Sequence, residues 1–505
     1  MGTILRDLLC FIPEMTLGGL SLIFLGGAVF LKKETQESVL FGKVLFGALA
    51  MVGILVLLQS LEPFYIFNRL FISDTYTIFV KFLVLSITIC IYSFSFSSLK
   101  LEKVLKVELY VFILMALLGM FMVIGSNDFL SFYLGMELQN IAFYVLVSFK
   151  RDSLKNNEAA IKYFILGVVA SGIFLFGASL LYGAVGSLNF QDIGNVLGSS
   201  TLESSSGAHY ALFGAGIGLL FIISSFLFKV SIVPFHMWAP DVYEGAPLPI
   251  VAFLAFAPKV VILSVILRLW VLLFSETAVS MASSVLKVFP PMIMGASVLS
   301  IVVGTFGAFG QSNIKRFLAY TGISHMGFIV LGISLGNYSG MYAALVYLMS
   351  YIIMGVGFFA ILCALRYPPG FSRIGIVKDL SDLKGLSKTH PGMSFSLAIL
   401  MISFAGLPPL IGFFSKLYLL LSLIETGFVE IAVFGGLSSV VAAVYYLRIV
   451  KYLYFEEAEV SLDVVTPLSF FIPLFLSLGG TVFFCINAKP ILWCVSLIMG
   501  RLFQN

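Results

Sequence analysis

The sequence predicts an all-α polytopic membrane protein with about 14 transmembrane helices. Three observations predict it. The 505 residues are 60% hydrophobic and 11% charged, with a mean hydropathy of +1.08, whereas soluble domains are nearer half apolar and a quarter charged. Apolar runs of about 20 residues recur from end to end, the length that crosses a hydrocarbon core roughly 30 Å thick. Finally, the basic residues crowd into alternate loops, as the positive-inside rule requires of a multi-pass chain.

Taken in order, the runs place spans 1 to 6 at residues 15–31, 41–60, 77–97, 107–124, 129–148 and 160–183. The Gly/Ser-rich stretch GNVLGSSTLESSSG then leads into span 7 at 211–238. Pro234 lies inside that span, and a proline there removes a backbone donor and breaks the helix. Span 8 follows at 250–273, span 9 ends near Phe309, span 10 covers 314–335 and span 11 covers 341–365. A polar connection carries Arg366, Arg373, Lys378, Lys384 and Lys388, and its VKDLSDLKGLSK segment is expected as an amphipathic helix on the membrane surface. Span 12 at 393–421 is interrupted by Gly406-Leu407-Pro408-Pro409, and spans 13 and 14 close the chain at 430–452 and 467–486.

Composition excludes several classes. A net charge of +4 spread over so apolar a chain does not describe a nucleic-acid binder. Cys10, Cys90, Cys363, Cys485 and Cys494 form no C-x-x-C pair, which argues against an iron–sulfur or structural zinc site. His209, His236, His325 and His390 are too dispersed for a metal cluster. Arg6 and Glu14 precede the first apolar run without a small-residue cleavage site, so an uncleaved first helix is expected. GAGIG at 214–218 lies within an apolar helix and follows no strand, so it reads as a helix-packing stripe rather than a nucleotide loop.

Alternating the spans puts the lysines and arginines of residues 32–33, 43, 100–106, 150–162, 315–316, 366–388 and 448–451 on one side, and Arg6, Arg69, Arg268, Lys287, Lys489 and Arg501 on the other. The first side is the cytoplasm or matrix, and both termini lie outside. An internal repeat is faintly visible. Spans 5 and 6 overlie spans 10 and 11 at an offset of 184 that matches Tyr163 to Tyr347, and it carries Lys229 to Phe413, one helical turn from Lys416. An odd shift in span number reverses the direction of crossing, so the halves would be inverted repeats, an arrangement that goes with broken helices at the midplane.

Ionisable residues inside such spans are rare and by default functional. Glu137, in LGMELQN, lies close to the bilayer centre; the alternative is a neutralised packing residue. Lys229, Lys259 and Lys416 lie within spans 7, 8 and 12. Snorkelling is the competing explanation, but Lys259 is too central for it, and Lys229 and Lys416 adjoin broken turns whose freed carbonyls can satisfy an ammonium. His325, in GISHMG, is the weaker candidate for proton transfer, and His236 fits a structural hydrogen bond as well as chemistry. Lys81 and Asp128, nearer helix ends, are expected as interfacial anchors, and Asp241 and Glu244 as turn or cap residues. A carboxylate followed by lysines at mid-membrane depth forms a line for proton transfer. One charge moved across 100 mV costs about 2.3 kcal/mol, equal to roughly 1.7 pKa units, and burial alone moves a lysine by up to about 3–5 units. Making and breaking a Glu137–Lys229 contact would supply the change.

VPFHMWAPDVYEGAPLP, GFFSKLYL, MELQNIAFYVL and IKRFLAYTGISHMG closely resemble chain 2 of NADH–ubiquinone oxidoreductase, respiratory complex I, the N subunit in bacteria. The likeness runs from about span 4 through span 13. It implies an antiporter-like subunit with two inverted five-helix repeats and broken helices 7 and 12. On that pattern residues 1–106 hold spans 1–3, 107–275 the first repeat, 276–453 the second, and 454–505 span 14 and a tail that matches the family poorly. The resemblance further implies proton pumping driven by electron transfer from NADH to quinone, through Glu137, Lys229, Lys259, His325 and Lys416. It implies no cofactor in this chain, with FMN, iron–sulfur clusters, NADH and ubiquinone handled by other subunits. The implied partners are other membrane-arm subunits, including neighbouring antiporter-like ones, and membrane lipid. KRDSLKNNEAAIKYFILG looks like mitochondrial chains, so the mitochondrial inner membrane is expected, with the bacterial cytoplasmic membrane as the alternative. A subunit of a cation/proton antiporter is the competing function, and a membrane scaffold whose charges only pair helices is a third.

Overall fold

Backbone groups in hydrocarbon have no water to bond, so each apolar run satisfies its own peptides by coiling into a helix. In the computed structural model, which describes residues 2–30, 35–102, 104–198, 208–274, 286–368, 375–458, 461–466 and 468–504, this produces α1 (Gly2–Cys10), α2 (Ile12–Phe30), α3 (Thr35–Leu57), α4 (Thr75–Leu101), α5 (Val107–Gly125), α6 (Phe129–Val147) and α7 (Leu154–Val185). These are followed by α8 (Phe190–Gly198), α9 (Ala208–Val230), α10 (Trp238–Gly245), α11 (Leu248–Phe274), α12 (Phe289–Phe309), α13 (Ile314–Ser334) and α14 (Tyr338–Ala364). The chain ends with α15 (Leu386–Thr389), α16 (Pro391–Ala405), α17 (Ile411–Glu425), α18 (Val429–Phe455), α19 (Leu468–Ile486) and α20 (Lys489–Gln504).

Among the described residues 13 helices are long and apolar enough to cross a membrane. The remaining expected span, the twelfth, is divided into α16 and α17, each of 15 residues. Span 7 is likewise divided into α9 and α10, and the chain between them turns through Ser231 at φ 64° and a cis Val233–Pro234 bond. Two small antiparallel ladders, Phe64–Ile66 with Phe71–Ser73 and Leu365–Arg366 with Asp463–Val464, tie loops at the helix ends.

The helices are not equally enclosed. The apolar window of α11 is wholly buried by its neighbours, and α13 and α14 are nearly so, whereas α2, α3, α7 and α18 present most of their surface outward. Lys259 and His325 therefore lie on the innermost helices, where a charge meets protein rather than lipid. The GAGIG stripe packs as expected: a Cβ on Gly218 would lie 2.7 Å from the Gly177 carbonyl of α7, so the two backbones touch.

Two expectations about the chain ends and loops change. VKDLSDLKGLSK does not form a surface helix. It makes a 3₁₀ turn at Leu380–Leu383 followed by the four-residue α15, with Leu380, Leu383 and Leu386 buried, because its leucines find protein rather than the membrane surface to cover them. Arg373 lies outside the described residues. A last helix, α20, follows span 14 where no element is expected, and its Val495, Ile498, Met499 and Leu502 are buried.

Candidate functional site: a polar line through the membrane

Each expected residue falls on the helix that its span implies. Glu137 is half-buried in the middle of α6, whose start is fixed by Asp128: the carboxylate accepts from the Leu130 N–H at 2.7 Å. Asp128 is thus a helix cap rather than an interfacial anchor, the competing need being the unpaired N–H groups of the first turn. Glu137 does not touch Lys229. Its Oε1 accepts from Ser171 Oγ of α7 and from Asn140 Nδ2 at 3.1 Å, and the other end of that amide, Asn140 Oδ1, accepts from Lys229 Nζ at 2.9 Å. The expected direct ion pair is replaced by an amide bridge. It spans no more than about 8 Å, where opposite charges at an effective permittivity near 20 attract by about 2 kcal/mol. Asn140 lies one turn beyond Glu137 on the same face, so MELQN already places these two side chains together, without the lysine.

Lys229 occupies the last turn of α9, next to the break. The break is held from several directions. Trp238, the first residue of α10, donates its indole N–H to the Phe228 carbonyl at 2.8 Å and stacks on Tyr163 of α7 with ring centroids 5.0 Å apart. Ser300 of α12 accepts from the Val233 N–H at 2.8 Å. His236, in the turn, is half-buried, and its Nδ1 has no hydrogen-bond partner among the described residues.

Lys259 is 2% exposed, and no hydrogen-bond acceptor for its ammonium lies among the described residues; it faces the Tyr243 ring at 5.8 Å. Its Nζ lies 3.7 Å from where a Cβ on Gly322 would project, and the Tyr351 hydroxyl lies 3.3 Å from that same point. Lys259 Nζ and the Tyr351 hydroxyl therefore both lie beside Gly322 of α13, one turn before His325. His325 is enclosed by tyrosines: Nδ1 bonds the Tyr347 hydroxyl at 2.9 Å, Nε2 bonds the Tyr446 hydroxyl at 3.0 Å, and the Tyr351 ring lies 5.2 Å away. A cavity of about 20 Å³ lined in part by Tyr243, Thr321, Tyr351 and Tyr446 adjoins this cluster, enough for one water. The Tyr243 hydroxyl has no hydrogen-bond partner among the described residues. Phe404 packs on the His325 ring at 5.4 Å, and its carbonyl accepts from Lys416 Nζ at 3.3 Å, as does that of Ala405 at 3.1 Å.

The structure thus joins Glu137 to Lys229 through Asn140, packs His325 on Phe404, whose carbonyl accepts from Lys416, and places Lys259 beside the same cluster at Gly322 with no hydrogen bond to it among the described residues. It does not join the two groups, since no described side chain hydrogen-bonds to both Lys229 and Lys259. The breaks also differ: Lys229 is on the half-helix before its break, and Lys416 is on the half-helix after its own.

Sequence reasoning misses the ion pairs around this line. Lys81, expected at an interface, is buried and pairs with Glu14 of α2 at 2.5 Å. Glu14, on another helix, supplies the counter-charge that makes burial tolerable. Arg268 of α11 donates to both carboxylate oxygens of Asp74 at 3.0 Å, and Asp74 also caps α4. On the basic-loop side Asp241 and Glu244 do more than end a turn. Asp241 pairs with Lys162 of α7 at 2.8 Å and Arg316 of α13 at 3.2 Å, and Glu244 pairs with Arg316 at 3.0 Å and Lys155 at 3.3 Å. These groups line a cavity of about 190 Å³ and clamp α10 between α7 and α13. Burial opposes ionisation of Glu244, but hydrogen bonds from Arg316 and Lys155 outweigh it and hold the carboxyl below its usual range. Among the described residues no group of three or more His, Cys, Asp or Glu could hold a metal ion.

Broken helices carrying buried lysines, in a bundle of this kind, define an antiporter-type membrane subunit, and residues 126–442 match the family model described as NADH:quinone oxidoreductase/Mrp antiporter, TM. The likeness extends well beyond that segment. The chain is 42% identical over 463 residues to the NADH-quinone oxidoreductase subunit N of Paramagnetospirillum magneticum, covering 90% of each chain, and it belongs to the subunit N family. Its fold matches a chain of respiratory complex I from Thermus thermophilus with a TM-score of 0.76 and 25% identity, covering 95% of this chain and 98% of that one. It also matches a chain of the Mrp complex from Dietzia sp. with a TM-score of 0.79, 18% identity and coverage of 98% and 97%, which concerns the fold alone.

Proposed function

We propose that this chain is a proton-translocating membrane-arm subunit of NADH:quinone oxidoreductase. In this reading, electron transfer in other subunits drives proton movement through Glu137, Lys229, Lys259, His325 and Lys416. The single observation that carries it is the polar line itself: five ionisable groups inside the bundle, four held by hydroxyls, an amide or freed carbonyls and Lys259 facing the Tyr243 ring, none of them in a salt bridge among the described residues. Groups held this way change protonation state without leaving a bare partner buried, which is what a relay needs and what a scaffold of paired charges lacks. Tyr347, Tyr351 and Tyr446 extend the line around His325, and the cavity beside them gives a water room to connect hydroxyls.

Residues 107–275 and 276–453 are proposed as the two antiporter-like units and as inverted repeats, after the N-terminal helices of 1–106 and before the last helix and tail of 454–505; the division of both α9–α10 and α16–α17 supports this. The chain spans a membrane many times. The mitochondrial inner membrane is supported by KRDSLKNNEAAIKYFILG, and the bacterial cytoplasmic membrane by the subunit N relative from Paramagnetospirillum magneticum; subcellular fractionation of the source cells separates the two.

The reading is tested with Lys259→Met in the assembled complex, reconstituted into vesicles. Protons pumped per NADH oxidised should fall measurably below the wild-type ratio, by the share that passes through this subunit, while the complex still assembles. An assembled variant with unchanged proton output overturns the relay. Co-isolation with flavin and iron–sulfur subunits supports the redox complex, and sodium/proton exchange by this chain alone would replace it with the antiporter reading that the shared fold also accommodates.

A further inference from the structure

The geometry points to Asn140 as a positioning residue that holds Glu137 and Lys229 as an amide-separated ion pair, coupling their charges while keeping a proton from passing directly between them. This rests on the proton-relay reading above and adds to it a residue that is not itself ionisable.

Three observations support it. Asn140 is 1% exposed, and both ends of its side chain are used: Nδ2 donates to Glu137 Oε1 at 3.1 Å and Oδ1 accepts from Lys229 Nζ at 2.9 Å. The orientation is dictated by its neighbours. An ionised carboxylate only accepts and an ammonium only donates, so one of the two amide orientations satisfies both and the reverse satisfies neither. Ser171 Oγ donates to the same carboxylate oxygen, which fixes Glu137 against the amide and leaves Lys229 with Asn140 as its side-chain partner.

The chemistry of a carboxamide gives this arrangement its function. Charge-assisted hydrogen bonds are roughly twice as strong as neutral ones, so an amide dipole aligned between an anion and a cation favours the charged form of each. Loss of charge at Glu137 weakens the bond to Nδ2, reduces the polarisation of Oδ1 and loosens the hold on Lys229. The same group does not relay a proton, whereas a hydroxyl or a water accepts one while donating another and a carboxylate binds one outright. A direct Glu–Lys contact would let the proton collapse from ammonium to carboxylate. The amide transmits the field and withholds the proton, so a proton leaving Lys229 must go elsewhere along the line.

The test uses the intact complex in vesicles, with pumped protons per NADH normalised to assembled complex by flavin content. Asn140→Leu, nearly the same size and without polar atoms, should cost at least about half of the pumping ratio that Lys229→Met costs, with NADH–quinone electron transfer retained. Asn140→Gln, which keeps the amide, should restore more than half of the lost ratio; a space-filling role predicts the reverse order. Because Asn140 acts through Glu137, the double variant Glu137→Gln/Asn140→Leu should fall no further than the worse single variant. Asn140→Leu with the wild-type ratio, or losses that multiply in the double variant, overturns the inference. Lys229→Met, run alongside, separates this from the relay reading: if it also pumps like wild type the relay itself fails, and if it alone loses pumping only the role of Asn140 fails.

Discussion

Gly406 offers a direct way to move Lys416 without touching it. The residue ends α16 in the left-handed region, φ +81°, and its N–H bonds back to the Ile402 and Ser403 carbonyls. A Cβ there would lie 2.9 Å from Lys416 Cδ and 3.1 Å from Nζ, so the end of the lysine must shift by a few tenths of an ångström. Gly406→Ala therefore costs two things. The backbone conformation costs about 1–2 kcal/mol for any residue with a Cβ. The shift of the lysine also strains its hydrogen bonds to the Phe404 and Ala405 carbonyls, at 3.3 and 3.1 Å, and such a bond to a charged group contributes about 1.5–3 kcal/mol. Loss of one of the two bonds is worth at least about 1.5 kcal/mol, which at about 1.4 kcal/mol per tenfold lowers the seated population of Lys416 by about tenfold. Gly427, in the turn after α17, provides the control: its φ is +86°, and nothing lies within 4 Å of the point where a Cβ would project. Gly427→Ala should thus carry the backbone cost alone. The assay is protons pumped per NADH by reconstituted complex, corrected for assembly. Gly406→Ala should pump measurably fewer protons per NADH than Gly427→Ala, which should stay within about twofold of wild type. Equal ratios in the two variants would show that seating Lys416 on the carbonyls of the break is irrelevant to pumping.

Two further outcomes follow from the ion pairs. Lys81→Met strands the Glu14 carboxylate, which is 2% exposed, and should destabilise the complex by about 3–5 kcal/mol, the cost of leaving one partner of a buried pair; the double variant Glu14→Leu/Lys81→Met should recover most of the melting temperature in detergent, and a single variant that melts like wild type would refute the pairing. Glu244 has a different signature, because hydrogen bonds from Arg316 and Lys155 prevail over burial and hold its carboxyl below the usual 4.5. A depressed folded value stabilises the protein above the unfolded value and loses that contribution as pH falls through the folded one. Glu244→Gln should therefore melt below wild type at pH 7, and the gap should close as the pH drops below about 4; a gap that persists undiminished there would count against the clamp.

What can be read from the sequence follows from how each signal is encoded. Hydropathy adds over some 20 consecutive residues, so the spans stand out. The breaks at Pro234 and at Gly406 to Pro409 are equally plain, because each is a backbone property of the residues concerned. Glu137, Lys229, Lys259 and Lys416 are visible for a third reason: an ionisable group at such depth is rare in an apolar run and by default functional. The partners of these groups have no comparable local signature. Tyr446 reaches His325 across 121 positions of chain and Arg268 reaches Asp74 across 194, and a tyrosine or asparagine in an apolar helix is too common to stand out. Lys81 is misread for the same reason. Its closeness to the start of α4 suggests an interface, and only the packing of α2 beside it reveals Glu14. Asn140 shows where the limit lies. It sits within the same motif as Glu137, one turn away, yet nothing in MELQN says that the lysine of α9 arrives on its far side. The ionisable residues mark where protons can rest. The neutral ones between them decide which of those resting places can exchange, and that choice is made by three-dimensional contact alone.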